Sequence, residues 1–337
     1  MKEKEYSYNL EKSDMGTRVC VLGAGVIGTT YAYVLQKAGY EVLHLVRDHK
    51  ALTLPSELPV HLLDGRDNPK GEERNDVYHI SLAETATTYD FIFVSVASGA
   101  LEQAVHTIKQ KRVKGTLVFF CNIWNDRKEV ERMAGDYPYI LAFPTAGGCM
   151  ENHRLNCVLF DHVMLERMEN SHIPNYTELV SMLGRAGVKT ESPYDMLEWI
   201  WIHMAVNAGV TSTAARKGDV GNPKRLAIEL MGDSRALAQA VRSIRETLKV
   251  VGARGVVMKN YRNETLPYRM PAFLAGIAMK RLFAKDMLAS RIMTLHNDVQ
   301  DILYGCRCVY DEAKRRDLPL PLFFKNMDCI FNKIENE

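Results

Sequence analysis

Residues 18–47, RVCVLGAGVIGTTYAYVLQKAGYEVLHLVR, contain the pattern that is most informative about the fold of this chain. An apolar run, a glycine-rich turn, a helical pattern and a second apolar run follow one another, which is the order of a β-α-β unit. In such a unit, glycines spaced G-x-G-x-x-G permit the tight turn, the approach of a pyrophosphate and the packing of helix on strand. We therefore predict that the turn binds a dinucleotide; a glycine turn without a ligand is the alternative. The predicted binding residues are Gly23, Ala24, Gly25, Val26, Ile27 and Gly28.

The end of the second strand indicates which dinucleotide binds. An acidic residue there usually holds the ribose 2′-hydroxyl of NAD. This strand instead ends in Leu45-Val46-Arg47, and a guanidinium can bind a 2′-phosphate through two hydrogen bonds. Asp48 follows directly and would take the acidic role if the strand ran one residue longer. The sequence favours NADP(H) over NAD(H).

The two halves of the chain differ in pattern. From Thr17 to Glu191, apolar strands alternate with helical stretches, which is typical of a parallel sheet covered on both faces. RLNCVLF and HVMLERM are predicted to form an antiparallel pair within this half. From Pro193 the pattern is helical. We predict an α/β fold in which a Rossmann-type doubly wound parallel sheet precedes an all-helical C-terminal domain. The predicted units are a flexible extension over 1–16, a nucleotide-binding domain over 17–192 and a helical domain over 193–337.

The helical half divides into five predicted helices. Their bounds are Met196 to Ala215, Lys224 to Ala253, Met270 to Phe283, Ser290 to Arg316 and Leu322 to Ile334.

Composition excludes several classes of function. The 43 basic and 41 acidic residues give a net charge of +2, and no basic cluster indicates nucleic acid binding. The seven cysteines form no CxxC pair, so we expect no metal site and reduced thiols. The N-terminal residues lack the apolar core of a signal peptide, and no apolar run is long enough to span a membrane. We expect a cytoplasmic protein that binds neither nucleic acid nor membrane.

Several motifs together resemble the ketopantoate reductase family, over Arg18 to about Phe331. Besides the glycine turn and Arg47, FFCN ending in Asn122 is similar to the family strand that ends in HNG. WIHMAVN, residues 201–207, is similar to the family's W-x-K-x-x-x-N helix, and LYGCRCVYDEAKRRDLPLP resembles its closing helix. The resemblance implies that NADPH and a 2-oxo acid bind between a Rossmann domain and a helical domain. It also implies that Asn122 lies beside the nicotinamide and substrate.

This sequence departs from the family pattern at the residues that would perform the chemistry. His203 stands where the family has its general-acid lysine, and Asp301 stands where the family has a glutamate. Ala97 replaces a second family lysine, and Ile123-Trp124-Asn125 replaces the run after the HNG asparagine. These departures leave the identity of the substrate open.

A histidine at position 203 can still donate a proton. Hydride transfer to a ketone builds negative charge on oxygen, so a proton donor must lie nearby. Histidine has an ordinary pKa of about 6.5, and a carboxylate beside it would stabilise its charged form. We predict a His203–Asp301 catalytic pair, which also resembles the pair of the opine dehydrogenases. The alternatives are a core histidine bonded to a carbonyl and a solvated helix charge.

Helical spacing predicts two polar stripes. His203, Asn207 and Thr211 are spaced i, i+4 and i+8, and Ser290, Thr294, Asn297 and Asp301 are also spaced to share one face. A polar stripe on an apolar helix is costly to bury unless it lines a cleft. The predicted substrate-binding residues are Asn122, Asn207, Thr211 and Ser290. Gly148, in FPTAGG, is predicted to leave room for the nicotinamide or to form a turn; exposed polar helix faces are the alternative for the stripes.

The function predicted from these features is NADPH-dependent reduction of a small 2-oxo acid, of the 2-dehydropantoate 2-reductase type that serves pantothenate biosynthesis. An opine-type or imine-forming dehydrogenase and a non-catalytic NADP(H)-binding sensor are the alternatives. The candidate assembly of this protein is a homodimer.

Overall fold

The computed structural model describes residues 16–295 and 299–335. The predicted flexible extension, up to residue 15, and Asn297 of the second polar stripe lie outside these residues. The strands are β1 (Arg18–Leu22), β2 (Glu41–Leu45), β3 (Glu57–Asp64), β4 (Glu72–His79), β5 (Thr88–Val94), β6 (Lys114–Phe120), β7 (Tyr139–Glu151), β8 (Arg154–Leu165) and β9 (Lys189–Glu191).

The helices of the first half are α1 (Val26–Lys37), α2 (Asp48–Ala51), α3 (Leu101–Gln110), α4 (Arg127–Ala134) and α5 (Tyr176–Arg185). Those of the second half are α6 (Met196–Lys217), α7 (Pro223–Gly232), α8 (Ser234–Ala253), α9 (Arg262–Thr265), α10 (Ala272–Lys285), α11 (Met287–Leu295), α12 (Val299–Arg315) and α13 (Pro321–Glu335).

The described strands form one mixed sheet in the order β2-β1-β5-β6-β7-β8-β3-β4, and β9 pairs with β8. From β2 to β7 the neighbours are parallel, and the chain leaves β1 first toward β2 and later toward β5. Ligands of such sheets bind at the carboxyl ends of the strands, where the direction of winding reverses. The Rossmann-type fold followed by helices is confirmed, and the crevice is expected beside β1 and β5.

The predicted antiparallel pair of RLNCVLF and HVMLERM is wrong. Both runs belong to the single strand β8, which pairs antiparallel with β7 and parallel with β3 and β9. Asp161, which separates the two apolar runs, lies within the strand, and its carboxylate lies 2.9 Å from the Lys189 ammonium of β9. The sequence pattern also missed the hairpin of β3 and β4, since β4 is an edge strand with one buried residue, Tyr78.

Two predicted helices correspond to more than one described helix. The predicted helix over 224–253 breaks at Asp233, whose carboxylate accepts a hydrogen bond from the Arg235 amide and caps α8. The predicted helix over 290–316 corresponds to α11 and α12, on either side of residues 296–298.

Helix α6 is held at its first turn by an ionic network. The Asp195 carboxylate caps the helix by accepting from the Glu198 amide. Arg127, at the start of α4, donates to Asp195 and to the buried Glu166, both at 2.9 Å. The Tyr261 hydroxyl bonds to Glu198 at 2.6 Å. These contacts fix the start of the helix that carries His203 against the sheet.

The apolar residues of α6 pack into two cores. Ile200 and Met204 join the core on the α3 face of the sheet, whereas Ile202 and Ala205 join the core of the helical half. The domain boundary between 192 and 193 stays a prediction, since α6 connects both cores.

Candidate active site

The glycine turn has the geometry that its spacing predicts. Gly23 has a φ of +83°, a backbone conformation that favours glycine. A Cβ at Gly28 would lie 2.8 Å from Val21 Cγ1, so only glycine lets α1 pack this closely on β1. A Cβ at Gly25 would meet nothing nearer than the Ser95 carbonyl at 4.0 Å, which leaves open space beside the turn.

Helix α1 begins at the turn with its first amides available. Within the described residues, no side chain caps this helix and its first turn, with Val26, Ile27 and Gly28, carries no acidic residue. The first amides of a helix have no partner within the helix, and they add to the positive end of its dipole. The turn can therefore bind the pyrophosphate of a dinucleotide.

His44 is a component of this site that the sequence analysis missed. Its ring lies 2.7 Å from the Gly23 carbonyl through Nδ1 and 2.7 Å from the Tyr78 hydroxyl through Nε2. Burial lowers the pKa of His44, so the ring is neutral, with Nδ1–H donating to Gly23 and Nε2 accepting from Tyr78. A histidine inside the apolar strand EVLHLVR was the available signal.

Arg47 and Asp48 lie just beyond the carboxyl end of β2, and their partners differ. Asp48 is paired with Lys111, whose ammonium lies 2.6 Å from the carboxylate and lowers its pKa. Arg47 is exposed, and its guanidinium forms no hydrogen bond or ion pair with residues 16–295 and 299–335. Arg47 is therefore the more available of the two for a ligand.

Asn122 lies beyond the end of β6 and presents an unpaired acceptor. Its side-chain nitrogen donates to the Ser98 hydroxyl at 3.2 Å. Its Oδ1 is buried and has no hydrogen-bond partner among the described residues. Buried polar atoms are rarely left unpaired, so this oxygen is suited to accept from a ligand group.

His203 lies near the carboxyl end of the parallel part of β7. Its ring is stacked on Trp199, with centroids 5.3 Å apart, and is tilted against Phe143 at 4.4 Å. Its Nε2 lies 2.9 Å from the Asn207 amide nitrogen, one helical turn further along α6. Burial lowers the pKa of His203 to about 4, so the expectation of an ordinary pKa near 6.5 is corrected.

The predicted contact between His203 and Asp301 is not formed within the described residues. The Asp301 carboxylate accepts from the Ser98 amide at 2.7 Å, whereas the His203 ring is bonded to Asn207. The physical reason is local: the i+4 spacing places Asn207 beside His203, and the loop after β5 offers Asp301 a free backbone N–H.

Three further predicted residues, Thr211, Ser290 and Gly148, lie in different surroundings. Thr211 continues the stripe of His203 and Asn207 along α6. The Ser290 hydroxyl donates to the Met287 carbonyl of its own helix. A Cβ at Gly148 would lie 2.3 Å from the Asn156 carbonyl and 2.9 Å from Val26 Cγ1, so packing beside the nucleotide turn accounts for this glycine.

The described residues contain no group of three or more side chains that could hold a metal ion. They also contain no helix long and apolar enough to cross a membrane. All seven cysteines are free.

Comparisons with known proteins agree with this fold. Residues 19–145 match the family model of ketopantoate reductase PanE/ApbA. No curated protein sequence matches the chain. A dimeric ketopantoate reductase from Staphylococcus aureus has a similar structure, with a TM-score of 0.62 and 14% identity over 95% of this chain and 99% of that one.

Two further solved structures share the fold. D-mandelate dehydrogenase with NADH and anilino(oxo)acetate has a TM-score of 0.66 and 16% identity, over 95% of this chain and 99% of that one. Yersinopine dehydrogenase has a TM-score of 0.66 and 12% identity, over 96% of this chain and 91% of that one, and was also solved with NADP+. Residues 19–145 are therefore similar to the ketopantoate reductase PanE/ApbA family, as the sequence motifs predict.

Proposed function

We propose that this protein is an NADPH-dependent oxidoreductase that reduces the carbonyl group of a small 2-oxo acid. The observation that carries the proposal is the buried, unpaired Oδ1 of Asn122 at the same sheet edge as the open glycine turn. The loop after β5 connects the two features, because Ser95 packs against Gly28 and Ser98 bonds to Asn122. An unpaired acceptor at this place supports a bound ligand that supplies a hydrogen-bond donor.

The residues of this edge fit NADP(H). The first amides of α1 would hold the pyrophosphate, Arg47 the 2′-phosphate, and Asn122 a donor at the nicotinamide end. When bound, the cofactor supplies a hydride. The pairing of Asp48 with Lys111 supports NADP(H) over NAD(H), since that carboxylate is already engaged.

His203 is our candidate for the proton donor to the substrate oxygen. Asn207 bonds to its Nε2 and fixes the ring, while Trp199 and Phe143 exclude water from one of its faces. A ring kept neutral in the free protein has to gain a proton before it can act as an acid. The carboxylate of a 2-oxo acid favours that gain, because a nearby negative charge raises the pKa of an imidazole. Asn207 and Thr211 are proposed to contact the substrate from the same face of α6, and Ser290 from α11.

Within this class we propose a reaction of the 2-dehydropantoate 2-reductase type, in pantothenate biosynthesis and in the cytoplasm. An opine-type dehydrogenase is the second candidate function. Yersinopine dehydrogenase is similar in fold to this chain over 96% of this chain's length. A His203–Asp301 pair is the feature that would favour the opine-type alternative, so the bonding of His203 to Asn207 counts against it.

A substrate panel tests the proposal. NADPH oxidation is followed with 2-dehydropantoate, with smaller and aromatic 2-oxo acids, and with the same acids plus an amino acid. We expect turnover with at least one 2-oxo acid alone, because this edge of the sheet has a candidate proton donor, His203, and a candidate cofactor site at the glycine turn. Turnover only with the amine present would establish the opine-type alternative. NADPH binding without turnover on any of these compounds would favour a sensor.

We also propose that the protein forms a homodimer through the outer face of α10. That face exposes three neighbouring apolar side chains: Phe273 by 61%, Leu274 by 43% and Ile277 by 40%. A group of adjacent exposed apolar side chains marks an interaction site more often than scattered apolar residues do. Phe273→Asp should convert a dimer to a monomer in light scattering, while Leu52→Asp, which alters an 88% exposed residue elsewhere, should leave it dimeric. A monomeric wild-type protein would contradict the proposal.

A further inference from the structure

The loop over residues 95–100, which joins β5 to α3, is the structural link between the glycine turn and Asn122. At its start, Ser95 packs against Gly28, with 3.6 Å between its Cβ and a Cβ built on Gly28. Three residues later, the Ser98 hydroxyl accepts the hydrogen bond from Asn122. A displacement of this loop would therefore change both the shape of the crevice and the direction of the Asn122 amide.

Helix α12 contacts this loop at two adjacent residues. The Asp301 carboxylate accepts from the Ser98 amide at 2.7 Å, a short distance that is typical of bonds to a charged acceptor. The Tyr304 ring, one turn further along the helix, lies directly against Gly99. A Cβ at Gly99 would lie 2.6 Å from Tyr304 Cε2, and the φ of +82° at this glycine also disfavours any other residue. The polar and the packing contact are independent observations.

We propose that Asp301 and Tyr304 form a clamp, the α12 clamp, which holds the loop over 95–100 in the shape required for ligand binding. Asp301 fixes the Ser98 backbone, Ser98 orients the Asn122 amide, and Asn122 Oδ1 is thereby directed to an N–H or O–H donor of the ligand. Asp301 is then a positioning residue that acts through Ser98. This inference rests on the proposed function for the identity of the ligand, but the clamp itself is present without it.

The hydrogen bond between the Ser98 amide and Asp301 has different chemical requirements from a contact in which Asp301 orients and stabilises His203. A backbone N–H needs an oxygen acceptor, and the amide oxygen of asparagine can replace the carboxylate oxygen at that position. Stabilisation of a charged imidazole needs the negative charge itself. Asp301→Asn should therefore preserve the clamp, whereas Asp301→Ala should open it.

Hydrogen exchange in the free protein tests the clamp without any ligand. We expect segment 95–100 to exchange faster in Asp301→Ala and in Tyr304→Ala than in the wild type. Asp301→Asn should exchange at nearly the wild-type rate. Asp311→Ala is the matched control, because Asp311 is an exposed carboxylate on the same helix. Unchanged exchange in both alanine variants at 301 and 304 would overturn the clamp.

Measurements of NADPH affinity and turnover then test whether the α12 clamp affects ligand binding. Asp301→Ala should weaken NADPH binding by about tenfold, the effect expected when one hydrogen bond to a charged group is lost, and Asp301→Asn should restore most of it. Turnover could instead fall as far in Asp301→Asn as in Asp301→Ala while hydrogen exchange of the loop stays normal. That result would show that Asp301 acts by stabilising the charged imidazole of His203, and it would overturn the positioning role. A wild-type protein that does not bind NADPH would contradict the proposed function, while the exchange result would still decide the clamp.

Discussion

His203→Ala is expected to lower turnover of the active 2-oxo acid by about 10²- to 10⁴-fold, the usual contribution of a positioned general acid. NADPH affinity should stay nearly unchanged, because the proposed nucleotide contacts come from the glycine turn and Arg47. Steady-state kinetics and fluorescence titration with NADPH measure the two effects separately. His106→Ala is the matched control, since His106 is exposed on α3. Wild-type turnover in His203→Ala would contradict the role of proton donor and would leave His203 a structural role beside Trp199 and Phe143.

The pH dependence of turnover follows from the lowered pKa of His203. Burial lowers this pKa to about 4 in the free protein, so at neutral pH only on the order of one ring in a thousand is protonated. The acid form is needed for proton donation, so kcat should fall as pH rises through the pKa of His203 in the complex. A substrate carboxylate raises that pKa above the value in the free protein.

Nuclear magnetic resonance titration of His203 checks this shift directly. The ring should titrate well below its ordinary pKa in the free protein and at higher pH with NADP+ and the product bound. An ester of the 2-oxo acid, which lacks the negative charge, should be a much poorer substrate. Equal turnover of acid and ester would exclude the substrate carboxylate as the cause of protonation.

Arg47→Ala is expected to weaken NADPH binding by roughly tenfold to a hundredfold, while NADH affinity changes little. The reason is that the guanidinium would bind the 2′-phosphate, which NADH lacks. Calorimetric titration of both cofactors measures the selectivity. Arg242→Ala, which removes an exposed arginine from α8, should have no effect on either cofactor.

Asp48→Asn tests the acidic alternative at the same place. If Asp48 held a ribose hydroxyl, this change would weaken NADH binding. We expect no such loss, because the Asp48 carboxylate is engaged by Lys111. Equal affinity of the wild-type protein for NADH and NADPH would contradict the assignment of Arg47.

Local sequence determined the β-α-β unit that carries the glycine turn. The order of apolar runs around Gly23, Gly25 and Gly28 predicted strand, turn and helix, because periodicity and the conformational freedom of glycine act over a few residues. The motifs also predicted a resemblance to the ketopantoate reductase family, and the match over residues 19–145 bears out that resemblance. The helical spacing placed Asn207 beside His203, since residues four apart on a helix are neighbours.

The electrostatics and the long-range partners of the site depend on the tertiary structure. Asp301 meets Ser98 across 203 positions of sequence, and the His44 ring meets Tyr78 across 34, so no local pattern indicates either contact. The pKa of His203 depends on the water that Phe143 and Trp199 exclude, and Phe143 is far from it in sequence. Burial in three dimensions sets the cost of charge, and sequence alone does not specify which distant side chains provide that burial.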